Sequence, residues 1–329
     1  MANTSSIVYG TTPNPNQHTA GRKGGRKGSN HPIINNVKKH WLLYVMALPG
    51  ILYFIIFKYI PILGSFISLQ DYQIFSGMWK SPWVGLKHFI FIFTYPDFYQ
   101  VVRNTFIIGF YQLVIGFPAP LILAIMLNEI RIMAVKRPMQ TLFYLPHFLS
   151  WPIIGGIIYE LLSLNGPANM ILETFGFEPQ LFLQKSEYFR GIVTSSYVWK
   201  ETGWNTIIFL AALAGINPSL YEAATVDGAS RWRQIFSITI PCLMPTIMIL
   251  FLLRVGNFLE LGFEQIYVLM TPMTYAVGDI LDTYVYRVGI VEGRYSLTTA
   301  VGLFKSIIGF FLLYFCNYLS KKSTGQGLY

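Results

Sequence analysis

Residues 216–241 read INPSLYEAATVDGASRWRQIFSITIP, and the local chemistry of this stretch governs the reading of everything around it. Asn217 can cap a helix with Pro218 at its first position, or Ser219 can cap it with Glu222 three residues on as a capping box. Ala223 and Ala224 continue that helix, Gly228 supplies a turn, and Ala229 to Ser237 open a second helix that leads to Pro241. The alanines leave the backbone open to close approach by another protein, and Tyr221, Trp232 and Phe236 can anchor such a contact. A short, exposed helix–turn–helix is predicted.

On both sides of it the chain is apolar over lengths that cross a bilayer core, about 18 residues or more. The flanking runs are 191–214 and 238–258; four more occupy 41–67, 101–127, 139–162 and 297–319. Of 329 residues, 53% are hydrophobic and 12% charged, too few charges to coat a soluble surface, where roughly 25% is usual. An all-α, polytopic membrane protein with six spanning helices is expected. Pro118 and Pro120 in the second span, and Pro241 and Pro245 in the fifth, imply kinked helices packed against protein that satisfies the freed carbonyls. The two cysteines, Cys242 and Cys316, both lie in apolar runs, which excludes a disulfide scaffold and a cysteine-rich zinc site; no metal is expected.

The net charge of +9 resolves into a topology. Thirteen Lys and Arg fall on one side: Arg22, Lys23, Arg26, Lys27, Lys38, Lys39, Arg131, Lys136, Arg137, Arg231, Arg233, Lys321 and Lys322. Six fall on the other: Lys80, Lys87, Lys185, Arg190, Arg287 and Arg294. The positive-inside rule then puts both termini in the cytoplasm. The expected organisation is a basic cytoplasmic tail 1–40, a first span 41–67, an external segment 68–100 with an interfacial helix, a core 101–320 containing the cytoplasmic loop 215–241, and a cytoplasmic C-terminus 321–329. GRKGGRKGSN at 21–30 reads as a topology determinant touching anionic lipid rather than a nucleic-acid arm. The acidic segment 259–296 reads as a folded external loop.

Glu222-Ala223-Ala224, Gly228 and the closing Ile240-Pro241 resemble the EAA loop of ABC-importer permeases, in spacing, in position between spans and in cytoplasmic placement. Trp83-Val84-Gly85-Leu86-Lys87-His88-Phe89, with Asp97-Phe98 and Arg103-Asn104-Thr105, resembles the carbohydrate-uptake branch, the maltose- and glycerol-phosphate-type permeases of first-subunit type. FKYIPILGSFISLQDY and LPHFLSWPIIGGIIY look like the subgroup handling complex or acidic oligosaccharides. The resemblance covers about residues 41–320. Two local departures are Tyr95-Pro96 before Asp97, where Asp-Pro is common, and Lys305, where an uncharged polar residue is expected; the second puts the substrate in doubt, not the family.

The resemblance implies a type I ABC importer permease fold, a second homologous permease, two ATP-binding subunits, an extracytoplasmic solute-binding protein and contact with membrane lipid. It makes Glu222, Ala223, Ala224, Asp227, Gly228 and Ala229 the element that couples to the ATPase; for Glu222, helix capping is the alternative role and the two can coexist. The chain contains no G-x-x-x-x-G-K-[ST] loop, so ATP and Mg belong on the partner and this chain holds no cofactor and is not an enzyme.

Ionisable residues at membrane depth are costly, about 2.5–3.5 kcal/mol each at a helix centre, and so point to function. Lys58 and Arg103 are near enough to span ends to snorkel. Lys200, Arg254 and Lys305 lie in spans that the family places around the translocation path. Tyr197, Asn205 and Asn257 offer hydrogen bonds beside them, while Trp199 and Trp204 offer either flat faces for pyranose rings or packing surfaces. Lys200 either pairs with Glu201 or meets the solute. Uncompensated cations along the path would favour an anionic oligosaccharide such as a uronate oligomer. Other readings are a permease for another solute such as glycerol phosphate, or an ion-driven carrier, for which the EAA loop has no use. The scattered histidines give no catalytic set.

Overall fold

The computed structural model describes residues 40–324, with side chains to Lys322; the tail cations Arg22 to Lys39 and the end of the C-terminus lie outside the described residues. The described residues are helical, with one isolated bridge between Gln70 and Trp83. The chain divides into two units, Met1–Pro61 and Ile62–Tyr329. In the first, every residue from Trp41 to Pro61 is exposed, a helix surface whose solvent is hydrocarbon or another protein. Helical residues continue to Leu69, giving a 29-residue run, α1 (Trp41–Leu69).

The second unit holds the rest. After α2 (Lys87–Thr94) come α3 (Pro96–Glu129), α4 (Met133–Phe148), α5 (Trp151–Leu162), α6 (Pro167–Thr174), α7 (Ser186–Ala214) and α8 (Pro218–Val226). Then follow α9 (Arg231–Gly256), α10 (Phe263–Leu269), α11 (281–291) and α12 (Tyr295–Thr324). By length and composition four helices can cross a membrane, and six if each sharply bent pair counts as one span.

Local chemistry sets the helix ends. Pro96 occupies the first turn of α3 and Asp97 places a carboxylate against its N-terminal dipole. The ring of Pro118 removes one amide, and a π-turn at Gln112–Gly116 just upstream takes up the mismatch. In α9 a π-turn at Ile235–Thr239 stands before Pro241 in the same way. These wide turns stand where the prolines led kinks to be expected.

One expected span needs correcting. Residues 139–162 are not a continuous helix: the chain passes through a 3-10 turn at Leu145–Phe148, and the two arms bend by 105°. Pro146 and Pro152 lack the amides that a continuous helix would need there, and the alternation of apolar residues hides the break from hydropathy.

Segment 259–296 is folded and contributes to the core. Leu261, Ile266, Leu269 and Ile280 pack with Ile108, Ile154 and Phe189 from three helices, while Leu281, Tyr284 and Val288 pack with Phe98, Val101 and Val301. Residues Phe89 and Ile92 of α2 join the second cluster, so one face of the expected interfacial helix is buried in protein. Polar groups pin the segment: Asn104 donates to the carbonyls of Ala276 and Asp279, and Arg287 pairs with Asp279 at 2.6 Å. Burial alone would lower the Arg287 pKa, but the hydrogen bond and charge of Asp279 more than reverse it. A third cluster of Ala124, Phe209, Leu213 and Leu243 joins α3, α7 and α9.

Candidate functional site

Two places gather the residues singled out from the sequence. The first is the hairpin α8–α9. Asn217, not Ser219, caps α8: its side chain accepts from the Ser219 amide at 3.1 Å, so the capping-box role open to Glu222 is not used. At the other end the Ala229 amide reaches the Ala224 carbonyl (2.8 Å) and the Gly228 amide the Thr225 carbonyl (3.1 Å). These paired bonds form a Schellman cap, which needs a left-handed residue, and Gly228 supplies it at φ +74°. Ser230 caps α9 through the Arg233 amide, and Gln234 returns to Thr225 and Ala229. Local bonds, with an ion pair from Arg231 to Glu129 of α3, thus close the hairpin. Its outer face is bare: α8 has no buried residue, Trp232 and Phe236 are 72% and 64% exposed, and Glu222 and Asp227 form no side-chain hydrogen bond or ion pair among the described residues. Ala223 and Gly228 are exposed, Ala224 and Ala229 half-buried.

The second place is a cavity of about 400 Å³ lined by Tyr197, Asn205, Arg254 and Asn257, four of the residues expected along the path, together with Trp151, Glu201, Glu260 and Gln265. The Arg254 guanidinium lies 5.2 Å from the Tyr197 ring and donates to Gln112 at 2.8 Å; it forms no ion pair among the described residues. Tyr197 reaches this position because Gly116 of α3 has no side chain; a Cβ there would sit 2.8 Å from its ring. The cavity therefore offers a cation held only by a neutral amide, two carboxylates, amides and an indole.

Lys200, Trp204 and Lys305 are placed otherwise, and the expectation of three uncompensated cations is corrected. Lys305 pairs with Asp282 at 2.6 Å. Lys200 is 6% exposed and donates to main-chain carbonyls of the break between α4 and α5; it does not pair with Glu201. Glu201 instead contacts His147 at 3.0 Å, and the Trp204 indole stacks on that imidazole at 4.6 Å. Trp199 lines a different, more open cavity of about 850 Å³ with Tyr111 and Arg190. Lys58 and Arg103 are exposed. The division follows helix geometry. Tyr197, Glu201 and Asn205 recur every four residues on one face of α7, while Lys200 and Trp204 share a neighbouring face. That periodicity was available to find Glu201; nothing local marked Trp151, Glu260 or Gln265. Among the described residues no group of three or more His, Cys, Asp or Glu could hold a metal.

Comparison with known proteins gives the family. The model of the family described as binding-protein-dependent transport system inner membrane component matches residues 116–325, and the chain belongs to that family. It is a membrane permease subunit of an ABC importer with the type I importer permease fold. It is 45% identical over 294 residues to Protein LplB of Bacillus subtilis (strain 168), covering 89% of this chain and 92% of that one. It is 46% identical over 288 residues to the polygalacturonan/rhamnogalacturonan transport system permease protein YteP of the same organism, covering 87% and 90%. Among solved structures, a chain of a bacterial alginate ABC transporter, in complex with an alginate pentasaccharide-bound periplasmic protein, matches at TM-score 0.85 and 39% identity, covering 91% of this chain and 100% of that one.

Proposed function

We propose that this chain carries an acidic oligosaccharide across the bacterial inner membrane, received from an extracytoplasmic solute-binding protein and driven by ATP hydrolysed, with Mg, on two partner subunits. The observation that carries the reading is Arg254, facing a cavity with Asn205, Asn257 and Trp151 while bonded only to a neutral amide. A guanidinium so placed can take a carboxylate in two parallel hydrogen bonds. Glu260 and the amides suit sugar hydroxyls, and the indole suits a pyranose face. Relatives named for polygalacturonan/rhamnogalacturonan and alginate transport support the same class of solute.

The bare hairpin α8–α9 is the docking element for the ATPase, which puts it, both termini and the basic tail on the cytoplasmic side. One such hairpin serves one ATPase, so a second, homologous permease completes the path, with lipid around both.

Uptake of labelled uronate and neutral oligosaccharides of equal length, in cells carrying the complete importer, tests the solute. Arg254→Gln should lower acidic uptake at least tenfold, about 1.4 kcal/mol, and spare neutral uptake. Equal loss of both, or of neither, removes the acidic reading. Competition by glycerol 3-phosphate would favour a phosphate-bearing solute, which the same guanidinium suits.

A further inference from the structure

The break in the third span is a helix end with one side, at Pro146 and the half-buried His147 and Leu149, turned to Lys200 of α7. Where α4 stops and α5 has not begun, the carbonyls of His147 and Leu149 receive no main-chain amide among the described residues, whereas that of Pro146 receives the Leu149 amide at 3.2 Å; an unmet carbonyl is costly at membrane depth. One side chain meets them. The Lys200 ammonium donates to the carbonyls of Leu149 (2.6 Å) and His147 (2.7 Å) and lies 3.4 Å from that of Pro146. Three donors and a positive charge are what a helix C-terminus with orphan carbonyls requires. The close approach is permitted by Gly203, whose Cβ, were there one, would collide with the Phe143 carbonyl.

The same ammonium lies 5.5 Å from the ring of Trp151, the first residue of α5. Trp151 lines the cavity with Tyr197, Arg254 and Asn257, whereas Lys200 is not among the residues lining it. The geometry points to Lys200 as a positioning residue: its ammonium replaces the helix donors missing at the break and so fixes the Trp151 indole as the cavity wall against which a sugar ring packs. The inference rests on the carbohydrate reading of that cavity for its second half only; the capping of the break does not depend on the solute.

Two measurements on the complete importer in lipid nanodiscs and proteoliposomes test it. Amide hydrogen exchange across 145–153 should quicken at least tenfold in Lys200→Met and stay near wild type in Lys200→Arg, which keeps charge and donors; unchanged exchange in K200M overturns the capping role. In a double-mutant cycle on oligosaccharide uptake, Trp151→Leu and K200M should each lower the rate about tenfold, and together no further than W151L alone. Multiplied losses of about a hundredfold would show that Lys200 does not act through Trp151. If W151L leaves uptake intact, the sugar-wall reading fails while the exchange result still judges the cap. Should K200M not accumulate, Lys200→Gln, whose uncharged amide ends one bond short of the carbonyls that the ammonium reaches, enters both measurements in its place with the same outcomes.

Discussion

Hydrogen is the only side chain that fits at position 203. A methyl group there would overlap the Phe143 carbonyl, which belongs to helix backbone and cannot turn aside. Gly203→Ala should therefore destabilise the protein by about 1–3 kcal/mol, as overpacking does, read as a lower unfolding midpoint in detergent. Gly228 differs in kind. Nothing crowds it, but its φ of +74° is left-handed, which costs other residues about 1–2 kcal/mol. Gly228→Val should loosen the hairpin and weaken ATPase co-purification while leaving the amount of permease in the membrane unchanged. The two glycines also show what a sequence can and cannot reveal. Gly228 was legible because the αL end of a helix is a local matter, settled by neighbours within six residues. Gly203 was not, because the carbonyl that forbids a side chain is 60 positions away along the chain, and no composition rule brings it near.

Among the helices, α8 was the most fully legible, since caps, turn and bare face are all encoded within its own residues. Because Asn217 rather than Ser219 caps it, Glu222 is free of a structural duty, and this makes a clean experiment. Glu222→Ala should not change thermal stability measurably, yet should lower uptake several-fold if its carboxylate meets the ATPase; unchanged uptake would leave the docking to the alanines. Ala223 is exposed, so Ala223→Trp should fold and still abolish ATPase co-purification by bulk alone. The third span was the least legible. Its apolar residues run through Leu145, Phe148, Leu149 and Trp151, so mean hydropathy stays high while the backbone turns through 105°. Residues 259–296 were legible as a folded segment but not as core: the five carboxylates gave no sign that two of them, Asp279 and Asp282, pair with Arg287 and Lys305 beside packed apolar residues. Charge tells where a residue goes only when its partner is known.

At the scale of the whole chain, sorting Lys and Arg by loop gave an orientation, and the proposed docking of the ATPase on the hairpin α8–α9 requires the same one. Reporter fusions at both termini should be active only in the cytoplasm. Loss of the partner ATPase should abolish uptake, and an uncoupler that spares cellular ATP should not; the reverse pattern would indicate an ion-driven carrier. The cavity was half legible: Tyr197, Asn205, Arg254 and Asn257 were singled out from the sequence and line it together, but the choice among neighbours on α7 required knowing which face turns inward. The lysine cap at the broken span also has a bearing on biogenesis. Leu149 and Lys200 are 51 residues apart, so at roughly 5–20 residues per second the orphan carbonyls leave the ribosome some 3–10 s before the group that satisfies them. During that interval the half-made third span is a poor guest in lipid, and so is α7 with a lysine at its middle until the span receives it. Each is the other's condition for staying in the membrane. Nascent chains ending at 185 should be cleared by quality-control proteases faster in a pulse-chase than those ending at 214; equal half-lives would show that the two segments enter the bilayer independently.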